Sequence, residues 1–336
     1  MTVNQKKRIF SGMRPTGKLH IGHWVGALKN WVSLQDSHEC VFSIADWHAL
    51  MGEYENPKGI PENIHNMALD WLACGLDPER SIIFVQSSVP EHLELQMFFS
   101  CLTPLGWLER NPTYKEQLRE ITTRDLQTYG FLGYPVLQAA DILLYKATAV
   151  PVGEDQLPHI ELTREIARRF NFIYKKDVFE DCDGILTAVP RLPGLDGRKM
   201  SKSYNNAIGL SDTEEEIRNK VGQMITDPQR VRLKDPGRPD ICSVFAYYKV
   251  FAPGIVDEVR DWCEGASKGC TECKKILADN VLKSMAPIRE RRAEFERTPG
   301  LVEGVLEEGR KKARAIAEKT MDEVRSVVFK NMTNNM

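Results

Sequence analysis

The sequence predicts an α/β fold, with a parallel sheet in its first half and a bundle of helices in its last third. Three observations carry this expectation. Short apolar runs alternate with helical patterns over the first half, β-like runs stop after Ser211, and the later apolar residues recur at helical spacing.

"RIFSG" (Arg8 to Gly12), "CVFSIAD" (Cys40 to Asp46) and "SIIFVQSS" (Ser81 to Ser88) read as buried strands, each short, rich in β-branched and aromatic residues, and bounded by turn formers. "GHWVGALKNWVSLQ" follows the first as a helix. "PENIHNMALDWLACG" follows the second, opening at Pro61 and closing at Gly75, as helices tend to. Strands that alternate with helices imply right-handed crossovers and a ligand crevice beyond the carboxyl ends of the strands. Ile276, Leu277, Val281, Met285 and Ile288, then Leu301, Val302, Val305, Leu306, Ile316 and Val324, mark two later helices, the second with Gly309 inside it. "DPQRVRLKDPGRPD", Asp227 to Asp240, reads as a long loop between helices. Neither a repeat nor a low-complexity tract is present.

With 336 residues, 42% of them hydrophobic, the chain can fill one large core or two ordinary ones without disulfides. Its start, "MTVNQKKRIF", is polar and basic. No run approaches the about 18 apolar residues of a membrane span, so a cytoplasmic protein is expected. Forty-five Lys and Arg balance forty-seven Asp and Glu, so any nucleic-acid site must be a local basic surface. Of eight cysteines, Cys242, Cys263, Cys270 and Cys273 stand apart, three of them within "CEGASKGCTEC". Four thiolates suit a closed soft-metal site. Zinc and a [4Fe-4S] cluster both accept four cysteines; only Cys270 and Cys273 form the short knuckle usual for structural zinc, and a cuboidal cluster tolerates dispersed ligands better. Buried thiols packed as small hydrophobes are the plain alternative.

The chemistry-bearing stretch "SGMRPTGKLHIGHWVGAL" begins where the first strand ends. Ser11, Gly12, Pro15, Thr16 and Gly17 make a turn, and the next helix, starting near His20, presents free N–H groups to phosphate. His20 and His23 share one face of its first turn and can donate to phosphate carrying developing charge; the bland alternative is a pair of surface histidines. "GRKMSKSYNNAIGL" (Gly197 to Leu210) sets Lys199 and Lys202 on a glycine- and serine-rich loop suited to grip polyphosphate. Together, "HIGH" at His20 to His23 and "KMSKS" at Lys199 to Ser203 resemble the two-part signature of class I aminoacyl-tRNA synthetases. That resemblance implies a Rossmann-like catalytic domain over 1–210, with a helical insertion at about 104–130, and a helical anticodon-binding domain over 211–336 that carries the four cysteines.

"YPVLQAADILLYKATAVPVGEDQLPHIELTREIARRFN" (Tyr134 to Asn171) and "FSGMRPTGKLHIGH" further resemble bacterial tryptophanyl-tRNA synthetases, and the likeness runs from Ile9 to about Val328. It implies that Asp141 accepts the indole N–H, within a tryptophan pocket of Phe10, Gly12, His48, Tyr134, Gln138 and Gln156. Tryptophan has one polar side-chain atom, a donor, so a single carboxylate in an apolar pocket is its simplest reader. His48 is equally a packed core histidine by sequence. The resemblance places ATP against Met13, Arg14, Pro15, Thr16, Gly22 and His23, against Gly153, Glu154 and Asp155, and against Leu192, Lys199, Met200, Ser201, Lys202 and Ser203. His20, His23, Lys199 and Lys202 are the implied catalytic residues.

Tyrosyl-tRNA synthetases hold their substrate with the spacing of Tyr134, Gln138 and Asp141, and many tryptophan enzymes have methionine at position 138 and asparagine at 23. Phe10, however, cannot hydrogen-bond a phenol, and the chain leaves no room for the RNA-binding tail common in tyrosine enzymes. A small-molecule nucleotidyltransferase would share the sheet but has no need of a cysteine-bearing bundle. The implied partners are ATP with Mg²⁺, L-tryptophan and tRNA(Trp). The implied assembly is a homodimer joined through the segment Pro104 to Tyr129, and some members of the family carry a [4Fe-4S] cluster in the helical domain.

Overall fold

The structure, a computed structural model, describes residues 6–120, 125–186, 192–200 and 204–329. Five parallel strands, β1 (Arg8–Met13), β2 (Glu39–Ile44), β3 (Ser81–Val85), β4 (Ala149–Val152) and β5 (Asp183–Leu186), lie in the order β3-β2-β1-β4-β5. The order reverses between β1 and β4, and a crevice opens at such a switch point because the connections leave to opposite faces. The three strands read from sequence are β1 to β3. β4 and β5 escape that reading because each is only four residues long.

The expected helix after β1 runs as α1 (Ile21–His23), a π-helical stretch Trp24–Leu28, and α2 (Lys29–Leu34). The π stretch offsets the helix beside the crevice, a feature frequent at functional sites. α3 (Asp46–Glu53) and α4 (Ile60–Ala73) follow β2. Trp31 of α2 stacks on Phe42 of β2, with ring centroids 4.7 Å apart, and meets Trp71 of α4 edge-on at 5.3 Å. Helices α5 (Glu91–Leu102), α6 (Leu105–Glu109), α7 (Pro112–Glu120), α8 (Tyr129–Leu132) and α9 (Tyr134–Leu144) lie between β3 and β4, and the middle three make up a helical insertion over 105–132. α10 (Leu157–Tyr174) joins β4 to β5.

From α11 (Glu214–Gln223) onward the chain is helical: α12 (Ser243–Phe251), α13 (Val256–Glu264), α14 (Cys270–Glu296) and α15 (Leu301–Val328). The Asp227–Asp240 segment is irregular, closing with a short 3₁₀ turn at Pro239–Ile241. α14 is tied to α4 by Arg292, whose Nε donates to buried Asp70 at 2.8 Å and whose other nitrogen donates to Asn66 at 2.9 Å. α15 leaves the other late helices and packs on β3, the edge strand. Ala313, Ala317, Met321 and Val324 are fully buried there with Val41 and Phe84. Gly309 permits the approach, since a Cβ at that position would lie 1.8 Å from the Ile83 carbonyl oxygen. The last helix thus belongs to the core of the sheet and shields an edge that would otherwise offer unpaired backbone groups. No helix among the described residues is long and apolar enough to cross a membrane.

Candidate active site

A cavity of about 370 Å³ opens at the carboxyl ends of β1 and β4. Its wall joins Phe10, Gly12, Met13 and Arg14 from β1 and the turn beyond it, His48 from α3, Tyr134, Gln138 and Asp141 from α9, and Gly153 and Gln156 after β4. All seven residues expected around the amino acid are there, with three of those expected around ATP. α9 explains much of the convergence. Positions 134, 138 and 141 share one face of a helix, and Pro135 fits its first turn, where no N–H partner is needed.

Asp141 is 4% exposed, so its carboxylate has left bulk water. His48 Nε2 lies 2.8 Å from Oδ2; His92 Nδ1, at 2.6 Å, and the Gln86 amide, donating at 2.8 Å, both meet Oδ1. Burial pushes the carboxyl toward its neutral form, but His48 and His92 overcome it and hold the pKa down at about 2. His92 is also 2.8 Å from the Tyr145 hydroxyl through Nε2, and both rings are completely buried. Sequence reasoning missed Gln86, His92 and Tyr145. The signal available was a glutamine in the turn after β3, on the carboxyl side of the sheet.

Tyr134 is held from outside the motif as well. Its hydroxyl lies 3.2 Å from His159 Nε2, and burial raises its pKa. Burial pushes His159 down to about 4, so the imidazole is neutral at pH 7. Phe131 and Gln117 from the helical insertion complete this wall.

The phosphate side is built differently. The His20 backbone N–H donates to His23 Nδ1 at 3.2 Å, which leaves the His23 proton on Nε2, and the two rings are 3.7 Å apart. His20 is buried, and with Thr16 it lines a second hollow of about 240 Å³ shared with Asn205, Gly209 and Lys220. Pro15 is buried in the turn. Met200 is buried against Gly22, where an added Cβ would lie 3.0 Å from its sulfur, so the two signature segments touch. Lys199 is exposed, its backbone bridged to Pro193 and its carbonyl held by Asn206 at 3.1 Å; Leu192 is buried nearby. Glu154 and Asp155 form an exposed 3₁₀ turn after β4, beside Gly153. Ser201, Lys202 and Ser203 lie outside the described residues.

The four singled-out cysteines come from three helix ends: Cys242 caps α12, Cys263 is in the last turn of α13, and Cys270 and Cys273 open α14. Burial pushes the Cys273 thiol up to about 11. The Tyr248 hydroxyl opposes this, and Cys242, Cys263 and Cys270 each add to it, so all four sit within mutual electrostatic range. Arg230 Nη1 is 3.9 Å from Cys263 Sγ. Among the described residues, no group of three or more His, Cys, Asp or Glu side chains is drawn together as metal ligands.

A switch-point cavity with a buried carboxylate, flanked by a histidine turn and a lysine loop, defines a class, and sequence comparison gives the same one. Residues 2–285 match the family of class I tRNA synthetases (W and Y), to which the chain belongs. Its relatives place it with the bacterial-type tryptophanyl-tRNA synthetases. It is 54% identical to the tryptophan–tRNA ligase of Thermotoga maritima over 95% of this chain and 98% of that one. It is 46% identical to the Aquifex aeolicus enzyme over 96% and 99%. Among solved structures, the tryptophanyl-tRNA synthetase of Campylobacter jejuni, complexed with ADP and tryptophan, superposes with a TM-score of 0.86. That pair is 32% identical, covering 96% of this chain and 99% of the other.

Proposed function

We propose that the chain is a tryptophan–tRNA ligase, which activates L-tryptophan with ATP and passes it to tRNA(Trp). The observation that carries the reading is Asp141: one ionised carboxylate, buried, at the wall of a cavity to which Phe10, Trp31, Met51, Phe131 and Ile142 contribute apolar surface. Such a group suits a substrate with a single polar side-chain donor. Of the four lone-pair positions on the carboxylate, Gln86 and His92 take two on Oδ1 and His48 takes one on Oδ2. One position on Oδ2 is left for the indole N–H.

In the first step the tryptophan carboxylate attacks the α-phosphorus of ATP and pyrophosphate leaves. In the second, a ribose hydroxyl at the 3′ end of tRNA attacks the adenylate and AMP leaves. Tyr134, Gln138 and Gln156 orient the amino acid, with Phe10 and Gly12 against the ring and backbone. Met13, Arg14, Pro15, Thr16, Gly22, Gly153, Glu154, Asp155, Leu192, Met200, Ser201 and Ser203 surround the nucleotide. His23, with its proton on Nε2, donates to phosphate beside His20, and Lys199 and Lys202 neutralise the leaving group. Mg²⁺ carried by ATP would add charge neutralisation at the phosphates. ATP-dependent attachment of labelled tryptophan to a tRNA(Trp) transcript, with one AMP released per charge, tests the reaction. Release of AMP with no charged tRNA contradicts it.

The late helices over 211–336, α15 apart because it packs on the sheet, are read as the anticodon-binding part, and we assign a [4Fe-4S] cluster to Cys242, Cys263, Cys270 and Cys273. What supports the assignment is the chemistry of the donor set, four thiols from three helix ends that binding would draw together, with Arg230 close enough to Cys263 to offset thiolate charge. Bound there, the cluster would tie those helix ends together. Protein purified without oxygen should be brown, carry about four irons per chain and lose them in Cys270→Ser; colourless protein with one zinc overturns the assignment. A homodimer is supported by exposed Leu93, Met97, Leu105 and Tyr129, on and beside the Pro104–Tyr129 segment. The cytoplasm, where tRNA is charged, is the expected compartment.

A further inference from the structure

The hydrogen-bond chain behind Asp141 reaches two groups that do not line the cavity. His92 opens α5 and Tyr145 ends α9, and neither ring has any solvent exposure. The ring of Tyr145 is clamped between Phe10, stacked at 5.4 Å with planes 6° apart, and Phe84, edge-on at 5.6 Å. Phe84 also stacks with His92 at 5.9 Å. Both rings are thus packed against aromatic neighbours.

We propose that Tyr145 and His92 are positioning residues for tryptophan selection, forming a hydrogen-bond relay that fixes the orientation of Asp141 without touching the substrate. The relay runs outward from Asp141. Asp141 is ionised and has no proton to give, so His92 Nδ1, 2.6 Å from Oδ1, must be the donor. The second ring nitrogen, Nε2, meets the Tyr145 hydroxyl at 2.8 Å, so the imidazole is held at both ends. Burial, with Asp141 and Glu91 nearby, raises the Tyr145 pKa, so that hydroxyl keeps its proton. Tyr145 therefore fixes the orientation of the His92 ring, and His92 together with Gln86 saturates Oδ1. The carboxylate cannot turn that oxygen toward the cavity without breaking two hydrogen bonds. Only Oδ2, shared with His48, can face the indole.

The inference rests on the reading of Asp141 as acceptor of the indole N–H, and one pair of substrates separates the two. Pyrophosphate exchange into ATP is measured with L-tryptophan and with β-(3-benzothienyl)alanine, in which sulfur replaces the indole N–H. Wild-type enzyme should favour tryptophan in kcat/KM. If it does not, the reading of Asp141 fails before the relay is tested. Given that preference, Tyr145→Phe, which keeps the stacked ring, should lower it roughly threefold to tenfold, as loss of one buried neutral hydrogen bond implies. The loss should appear in KM for tryptophan, with KM for ATP and kcat/KM for the sulfur analogue unchanged. His92→Asn, whose amide can still donate to Oδ1, should retain more of the preference than His92→Leu. Should Tyr145→Phe keep the wild-type ratio, or weaken both substrates equally, the relay is overturned and Tyr145 is only packing.

Discussion

The two sides of the crevice are held in different ways. On the amino-acid side, a single carboxylate is fixed by His48 of α3, Gln86 after β3 and His92 of α5, and the last is itself backed by Tyr145. On the phosphate side, one turn brings two histidines together, a buried methionine touches Gly22, and Lys199 stands exposed. The difference matches what each side receives. An indole N–H is a weak neutral donor, and it is distinguished from C–H only by an acceptor already in place. A triphosphate carries charge that attracts from several directions and must afterwards be released.

The largest effect that would break this division is on the phosphate side. Lys202→Ala, and to a similar extent Lys199→Ala, should slow single-turnover adenylate formation by roughly 10²-fold while leaving tryptophan affinity unchanged. A fall in tryptophan affinity of similar size would mean that the sides are not separable. Asp141→Ala should do the reverse, costing roughly 1.5–3 kcal/mol in tryptophan binding, or about one to two decades, with KM for ATP little altered. Equilibrium binding of each substrate separates the outcomes.

The frame behind the amino-acid side can be disturbed without entering either site. Gly309→Ala forces a Cβ into the Ile83 carbonyl and should destabilise the protein by about 1–3 kcal/mol, measured by urea unfolding. Unchanged stability would mean that α15 is not pressed onto β3. A smaller effect concerns pH. Burial holds His159 near a pKa of about 4, against the ordinary 6.5 of an unfolded chain, so its contribution to stability is complete above pH 6.5 and is lost as pH falls toward 4. Between pH 7 and 5.5, His159→Gln should remove about 1 kcal/mol of the wild-type loss of stability.

Much of this was legible in sequence, because local signals and site residues coincide. Arg8–Met13 is a strand by composition, the turn after it carries the histidines, and Tyr134, Gln138 and Asp141 share a helical face. What was not legible depends on long-range packing. His92 meets Asp141 across 49 residues, and nothing in "VPEHLEL" announces that. His159 was hidden in an amphipathic helix, where a buried histidine and a surface one look alike. Periodicity identified α15 as a helix but not its partner. Gly309, costly inside a helix, was the one mark of a close approach.

The most direct measurement of the central claim, that Asp141 selects an indole, is amino-acid-dependent exchange of pyrophosphate into ATP, run in parallel with tryptophan, tyrosine and phenylalanine on wild-type protein and Asp141→Ala. Tryptophan should drive wild-type exchange by orders of magnitude over the other two, and the variant should lose most of that margin. Exchange driven as well by tyrosine as by tryptophan, or a margin unchanged by Asp141→Ala, would contradict it.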